Sequence, residues 1–79
     1  MITRQLLLNA LREALENKEV MFESNSDNTD GWDSLGQLSI MSKLDEITDG
    51  KSSGIDDMAT CLSVQELVDK LTSNNLLLD

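Results

Sequence analysis

The chain has 79 residues, 39% of them hydrophobic, and its only aromatic residues are one Trp and one Phe, so we expect a single small domain over residues 1–79 with an aliphatic core. Six basic and fifteen acidic residues give a formal charge of −9, which argues against nucleic acid as a partner and favours proteins with basic patches. The chain has no His and one Cys, so it lacks the commonest general base and metal ligand and cannot form an internal disulfide.

The N-terminal segment does not have the pattern of a secretory signal. It has no apolar run followed by a small-residue cleavage site, and no stretch approaches the roughly 20 apolar residues of a membrane span. A single unpaired thiol also suits a reducing compartment. We therefore predict a cytoplasmic monomer without a membrane span.

The first helix is predicted over residues 3–18. Thr3 is a suitable N-cap, and leucine and alanine residues follow at steps of three and four. From residue 19 to residue 32 this pattern stops, and the sequence becomes rich in Ser, Asn and Asp. This stretch predicts a long loop.

The second helix is predicted over residues 34–48, with Asp33 or Ser34 as its N-cap. Residues 49–54 predict a second loop, in which two glycines can take positive φ angles. The apolar positions of the second helix are Leu35, Leu38, Ile40, Met41, Leu44 and Ile47.

The C-terminal part predicts a short third helix over residues 55–60 and a fourth over residues 63–73. Ser63 and Glu66 have the spacing of a capping box, and an apolar stripe follows them. The leucines of 76–78 lie beyond this helix and either fold back on the core or contact a partner. With no alternating strand pattern, the expected fold is all-α, a small four-helix bundle with a long first loop and a short third helix.

The run Asp33-Ser34-Leu35 carries the chemistry that the sequence suggests. Ser34 is a hydroxyl at the start of a helix, where unpaired N–H groups and the positive end of the helix dipole favour an attached phosphate. Asp and Ser at this position are also common as plain helix caps. The tripeptide alone leaves both interpretations open.

The setting of this tripeptide resembles a known family. Gly31-Trp32-Asp33-Ser34-Leu35-Gly36 opens the second helix of an acidic, His-free chain, and Ser63-Val64-Gln65 opens the last. The chain resembles, over nearly its whole length, the acyl carrier proteins of fatty-acid, polyketide and related thioester pathways. In that family the Asp-Ser-Leu serine bears 4′-phosphopantetheine.

The resemblance implies a non-catalytic carrier of acyl thioesters. Ser34 would bear the covalent 4′-phosphopantetheine derived from coenzyme A, Asp33 would be the acid used by the phosphopantetheinyl transferase, and Leu35 would contact that enzyme. Further partners would be acyl-loading, elongating and acyl-transfer enzymes. Ser39 and Thr48 depart from the pattern of many housekeeping members. Trp32, and Gly36 after the leucine, are more similar to the residues of specialised carriers found with surface-carbohydrate or secondary-metabolite genes.

Acidic residues are expected to form the surface that partners recognise. Asp45 and Glu46 on the second helix and Asp56 and Asp57 on the third could meet basic side chains of partner enzymes. The alternative is a solvated helix face without a partner. An unmodified acidic helical interaction module, or a peptidyl or aminoacyl carrier domain, is the alternative function.

An attached acyl chain could be sheltered between the helices, although the same side chains could be core packing only. Trp32 is expected to anchor the loop, and Cys61 to be buried as a small hydrophobe. A calcium loop ending at Gly31 is disfavoured, because its ligand positions one and twelve would be Ser26 and Gln37. The candidate lining is Leu38, Ile40, Met41, Leu44, Cys61, Val64, Leu67 and Val68.

Overall fold

Three α-helices form most of the structure, a computed structural model that describes residues 1–78; Asp79, the end of the predicted domain, lies outside the described residues. The prediction of a mostly helical protein is confirmed. The helices are α1 (Arg4–Leu15), α2 (Ser34–Ile47) and α3 (Val64–Ser73), and two 3-10 turns, Lys51–Gly54 and Met58–Thr60, lie between α2 and α3.

The short third helix predicted over residues 55–60 is replaced by irregular chain and the second 3-10 turn. Ile55 is extended, with φ −90° and ψ 122°, and ends the first turn. Asp57 is left-handed, with φ 63°, immediately before the second turn. Neither conformation continues an α-helix, so residues 1–78 contain three α-helices rather than the four expected.

A short parallel strand pair, which the sequence did not predict, joins the two ends of the described chain. Strands β1 (Ile2–Thr3) and β2 (Leu77–Leu78) pair with Ile2 opposite Leu77. Leu77 is buried, whereas Leu78 is exposed. The sequence left open whether the terminal leucines fold back on the core or contact a partner, and Leu77 folds back on the core.

Helix α1 begins where the sequence predicts and ends three residues earlier. The Thr3 hydroxyl accepts a hydrogen bond from the Leu6 N–H at 3.1 Å. Glu16 then adopts a left-handed conformation, with φ 50°, and its N–H donates to the carbonyls of Arg12 and Glu13. Residues 16–19 carry no buried side chain, and the next buried apolar residue after Leu15 is Val20.

Helix α3 begins with the capping pair that the sequence predicts. The Ser63 hydroxyl accepts from the Glu66 N–H at 3.1 Å and donates to Glu66 Oε1 at 3.1 Å. The same carboxylate accepts from the Leu62 N–H at 3.3 Å. The predicted apolar stripe of α3 is buried throughout and consists of Val64, Leu67, Val68 and Leu71.

The core lies between α1, α3 and the inner face of α2, and each fully buried aliphatic side chain contributes about 1.5–3 kcal/mol. The long loop adds the buried side chains of Val20 and Trp32 to it. The largest fully buried side chains are Leu7, Leu11, Val20, Ile40, Leu44, Val64, Leu67 and Leu71.

The buried face of α2 differs from the predicted stripe. It consists of Gly36, Ile40, Leu44 and, just beyond the helix, Thr48, at steps of four residues. The Thr48 hydroxyl donates to the Leu44 carbonyl at 2.7 Å and accepts from the Ser52 N–H at 3.0 Å, which ties the first 3-10 turn to the end of α2.

A close approach at Gly36 fixes this orientation of α2. A Cβ atom at Gly36 would lie 1.9 Å from the carbonyl oxygen of Gly31 and 2.8 Å from a methyl group of Leu15. The helix can pack against the loop only with glycine at this contact. Consequently Leu35 and Leu38 point outward and are 74% and 66% exposed, so the predicted apolar stripe was wrong over the first half of α2.

Hydrogen bonds hold the long loop against the start of α3. The Ser26 N–H donates to the Leu62 carbonyl at 2.8 Å, and the Val64 N–H donates to the Ser24 carbonyl at 3.0 Å. Residues 19–32 form no helix, as the sequence predicts. One isolated β-bridge, between Asn25 and Ser63, links this loop to the residue that caps α3. Among residues 1–78, no helix combines the length and hydropathy needed to cross a membrane.

Candidate functional site

At the start of α2, the neighbouring residues Asp33 and Ser34 differ in their hydrogen bonding. Asp33 is extended, and its Oδ1 accepts a hydrogen bond from the Gly36 N–H at 2.9 Å. Ser34 is the first helical residue, is exposed, and its hydroxyl makes no hydrogen bond to any of residues 1–78. Of the two predicted caps, Asp33 therefore performs the capping and Ser34 does not.

The helix end at Ser34 leaves backbone N–H groups without helical partners. The N–H groups of Ser34 and Leu35 precede the first intrahelical bond, which runs from the Gln37 N–H to the Asp33 carbonyl at 2.8 Å. These N–H groups and the helix dipole favour a nearby negative charge, which the Asp33 carboxylate in the cap already supplies. A phosphate on the Ser34 hydroxyl would meet both the free N–H groups and this carboxylate.

Trp32 anchors the loop directly before the site, as the sequence predicts. Its side chain is 4% exposed, and its indole N–H donates to Gln37 Oε1 at 2.7 Å. The Gln37 amide nitrogen donates to the carbonyls of Ala59 and Cys61, both at 2.9 Å. No helical periodicity or capping rule indicates this role of Gln37 from the sequence.

An open groove of 410 Å³ runs beside Ser34, between α2 and residues 59–62 of the second 3-10 turn and the chain after it. Ser34 and Leu38 lie on the wall formed by α2, and Ala59 and Leu62 lie on the opposite wall. Leu62 is 46% exposed and Leu38 is 66% exposed, so both walls of the groove carry an apolar side chain at the surface.

A larger groove of 760 Å³ continues along α2 toward its C-terminal end. Met41 and Ala59 line both grooves. Three of the acidic residues predicted to form a partner surface, Asp45, Asp56 and Asp57, lie together on this larger groove.

The fourth predicted acid, Glu46, lies apart from these three. Its carboxylate is 3.9 Å from the ammonium group of Lys43, which is also 3.3 Å from the Glu13 carboxylate of α1. Because both carboxylates are exposed, these ion pairs contribute little to stability. They do reduce the negative potential that a basic partner would meet at Glu46.

The residues predicted to shelter an acyl chain divide into two groups. Leu38 is exposed and Met41 is half-buried beside the grooves. The other six are at most 2% exposed and pack in the core, namely Ile40, Leu44, Cys61, Val64, Leu67 and Val68.

Cys61 is buried, as expected, and its thiol donates a weak hydrogen bond to the Asp57 carbonyl at 3.6 Å. Burial, and secondarily the negative charge of Glu66, raise the pKa of this thiol above its ordinary value. The low thiolate fraction that follows does not suit a nucleophile.

No group of three or more His, Cys, Asp or Glu side chains within residues 1–78 is arranged to hold a metal ion. Compared with models of protein families, with curated proteins and with solved structures, the chain gives no significant match.

Proposed function

We propose that this protein is an acyl carrier protein, in which a 4′-phosphopantetheine arm is attached to Ser34. One observation carries the proposal: at the start of α2, Asp33 performs the capping while the neighbouring Ser34 hydroxyl is exposed and makes no hydrogen bond to residues 1–78. A serine placed only as a cap would use its hydroxyl on the helix, as Ser63 does.

Attachment requires the Ser34 oxygen to form a bond to the phosphorus of coenzyme A that carries the pantetheine. The bond from this phosphorus to the bridging diphosphate oxygen breaks, and adenosine 3′,5′-bisphosphate leaves. The proton of the Ser34 hydroxyl passes to a base, which we assign to the transferase. When bound, the arm supplies a terminal thiol that holds an acyl group as a thioester. The protein itself catalyses no step and presents the cargo to partner enzymes.

The residues around Ser34 support this role by recognition. Asp33 uses Oδ1 in the cap, and its Oδ2 makes no hydrogen bond to residues 1–78, which leaves this oxygen for the transferase. Leu35 and Leu38 offer exposed apolar contacts on the same side of the helix start. The acids Asp45, Asp56 and Asp57 add a negative surface along the neighbouring groove, which speeds encounter with basic enzymes.

The finer assignments belong to the same proposal. The fold is of the acyl-carrier type, with the two 3-10 turns in the place of the short third helix, and the protein acts as a cytoplasmic monomer where coenzyme A and the transferase are present. The loading enzyme selects the acyl or aminoacyl cargo.

An interaction module without a prosthetic group is the alternative, and the same exposed leucines favour it. Such a module would need Leu35, Leu38 and Leu62 for contact with a protein but would have no use for the Ser34 hydroxyl. Modification of Ser34 therefore distinguishes the two functions.

The test is incubation with coenzyme A and a broad-specificity phosphopantetheinyl transferase, followed by intact-mass spectrometry. We expect one arm on the wild type and none on Ser34→Ala. Ser39→Ala is the matched control, because Ser39 is also an exposed serine of α2 and should leave the modification unchanged. Absence of an adduct with several transferases, or an adduct on Ser34→Ala, would contradict the proposal.

A further inference from the structure

Gln37 joins three separate parts of the chain through one side-chain amide. Its carbonyl oxygen accepts from the Trp32 indole N–H at 2.7 Å, and its nitrogen donates to the backbone carbonyls of Ala59 and Cys61 at 2.9 Å each. Both N–H groups and the oxygen are therefore used. A half-buried glutamine with this many partners is fixed in position.

These bonds connect the two walls of the groove beside Ser34. Gln37 lies on α2 one turn after Ser34, and Ala59 lies on the opposite wall. Within residues 1–78, the only hydrogen bonds between α2 and residues 58–62 are the two that Gln37 donates. The polar connection between the walls therefore depends on this one side chain.

An apolar side chain could not replace this connection. It would leave the part-buried Cys61 carbonyl and Trp32 indole N–H without their partner, which is unfavourable, whereas the carbonyl of the exposed Ala59 would bond to water. The segment would then move toward water to satisfy its carbonyls. Leu62 follows directly, but its carbonyl is held by the Ser26 N–H and its N–H by the Glu66 carboxylate, so the displacement centres on Ala59.

We propose that Gln37 is a positioning residue for partner docking at Ser34: it fixes the wall that carries Ala59 at a set distance from the serine. The proposal rests on the carrier function proposed above. Gln37 acts on the surface that the transferase contacts, whereas Ser34 itself is held by the Asp33 cap.

Three variants separate the bonds of this amide. Gln37→Glu retains an acceptor for the Trp32 indole but loses both donors to Ala59 and Cys61. Gln37→Met retains similar length and loses all three bonds, and Trp32→Phe removes only the indole donor. Gln5→Glu is the control with the same change of charge, because Gln5 is exposed on α1 and bonds only to Asn9.

The first measurement is native-state hydrogen exchange on the unmodified proteins. In Gln37→Glu and Gln37→Met, we expect the Thr60 and Cys61 amides, which donate within the second turn, to exchange about tenfold faster or more. The core amides of Leu67 and Val68 should change less than about twofold, which shows that the fold is retained. Gln5→Glu should match the wild type at both places.

The second measurement is the steady-state kinetics of the transferase. A displaced wall should raise KM for Gln37→Glu and Gln37→Met about fivefold and leave kcat within about twofold, because docking is affected and the serine is not. Trp32→Phe should have a smaller effect on KM. A general loss of stability would not produce this separation of KM from kcat.

The outcomes are distinguishable. If the wild type accepts an arm but KM or the Thr60 and Cys61 exchange rates of both Gln37 variants equal those of Gln5→Glu, the inference about Gln37 is overturned and the carrier function stands. If the wild type accepts no arm from several transferases, the carrier function is overturned and the inference with it.

Discussion

The starts of α2 and α3 use the same capping geometry with different residues. At α3 the cap is Ser63, whose hydroxyl bonds both to the Glu66 N–H and to the Glu66 carboxylate. At α2 the cap is Asp33, and the serine that follows it has a hydroxyl without a partner among residues 1–78. Of these two serines at helix starts, Ser63 uses its hydroxyl in the cap and Ser34 leaves its hydroxyl exposed.

The apolar residues of the two helices differ in the same way. All four residues of the α3 stripe are buried, whereas α2 exposes Leu35 and Leu38 within its first two turns. The start of α3 therefore contributes its apolar side chains to the core, and the start of α2 leaves two of its leucines on the surface, where the proposed function gives them a role in recognition.

The largest expected effect is on the contact that orients α2. Gly36→Ala would place a methyl group against the Gly31 carbonyl, so we expect unfolding free energy to fall by about 2–3 kcal/mol, although alanine normally favours a helix. Gly54→Ala is the control, because nothing lies within 4 Å of its added Cβ, and it should stay within about 0.5 kcal/mol. Urea denaturation measures both, and equal effects would contradict this explanation of the exposed leucines.

The next effect distinguishes the caps directly. Asp33→Ala and Ser63→Ala should each lower the unfolding free energy by about 1 kcal/mol, because each removes a side-chain acceptor from a helix start. Ser34→Ala should change it by less than about 0.5 kcal/mol. Thermal or urea unfolding checks this, and a loss at Ser34 equal to that at Ser63 would show that Ser34 has a structural role.

A smaller effect is expected from the acidic surface. Asp45→Lys should lower transferase kcat/KM by about threefold at low salt and by less at moderate salt, because exposed charges act mainly on the rate of encounter. Glu46→Lys should have the weaker effect, since Lys43 already lies 3.9 Å from that carboxylate. If both variants have the same kcat/KM as the wild type, these acidic residues do not contribute to recognition by the transferase.

The smallest effect concerns Cys61. Burial, followed by the charge of Glu66, raises the pKa of the thiol in the folded state, so the folded protein keeps this proton to a higher pH than the unfolded chain does. This difference in pKa stabilises the folded state by a constant amount below the ordinary thiol pKa, about 8.5. The stabilisation is lost as the pH rises from that value to the raised pKa of the folded protein. Urea denaturation between about pH 8 and pH 10 should show a smaller decrease for Cys61→Ala; identical slopes would contradict the assigned burial effect.

The sequence predicts those features that depend on local rules. The Thr3 cap, the Ser63 and Glu66 pair and the α3 stripe follow from spacing along the chain, and the structure has them. The end of α1 was predicted three residues late, because the polar residues after Leu15 do not exclude a helix by themselves.

Features that depend on distant contacts were not predictable in this way. The orientation of α2 is set by the approach of Gly36 to Gly31 and Leu15, and no periodicity of α2 encodes it. The strand pair of Ile2 and Leu77 is too short to show alternation and forms only because the chain ends meet. Within the site, the bonds of Gln37 reach backbone carbonyls more than twenty residues away, which are the same for every residue type.

The most direct measurement is to locate the added arm within the chain. After treatment of the wild type with coenzyme A and a phosphopantetheinyl transferase, fragmentation mass spectrometry of the peptides should place the whole modification on Ser34. Ser63, the serine engaged in capping, should remain unmodified. A modified Ser63, or an unmodified Ser34 after treatment with several transferases, would contradict the assignment of Ser34 as the attachment site.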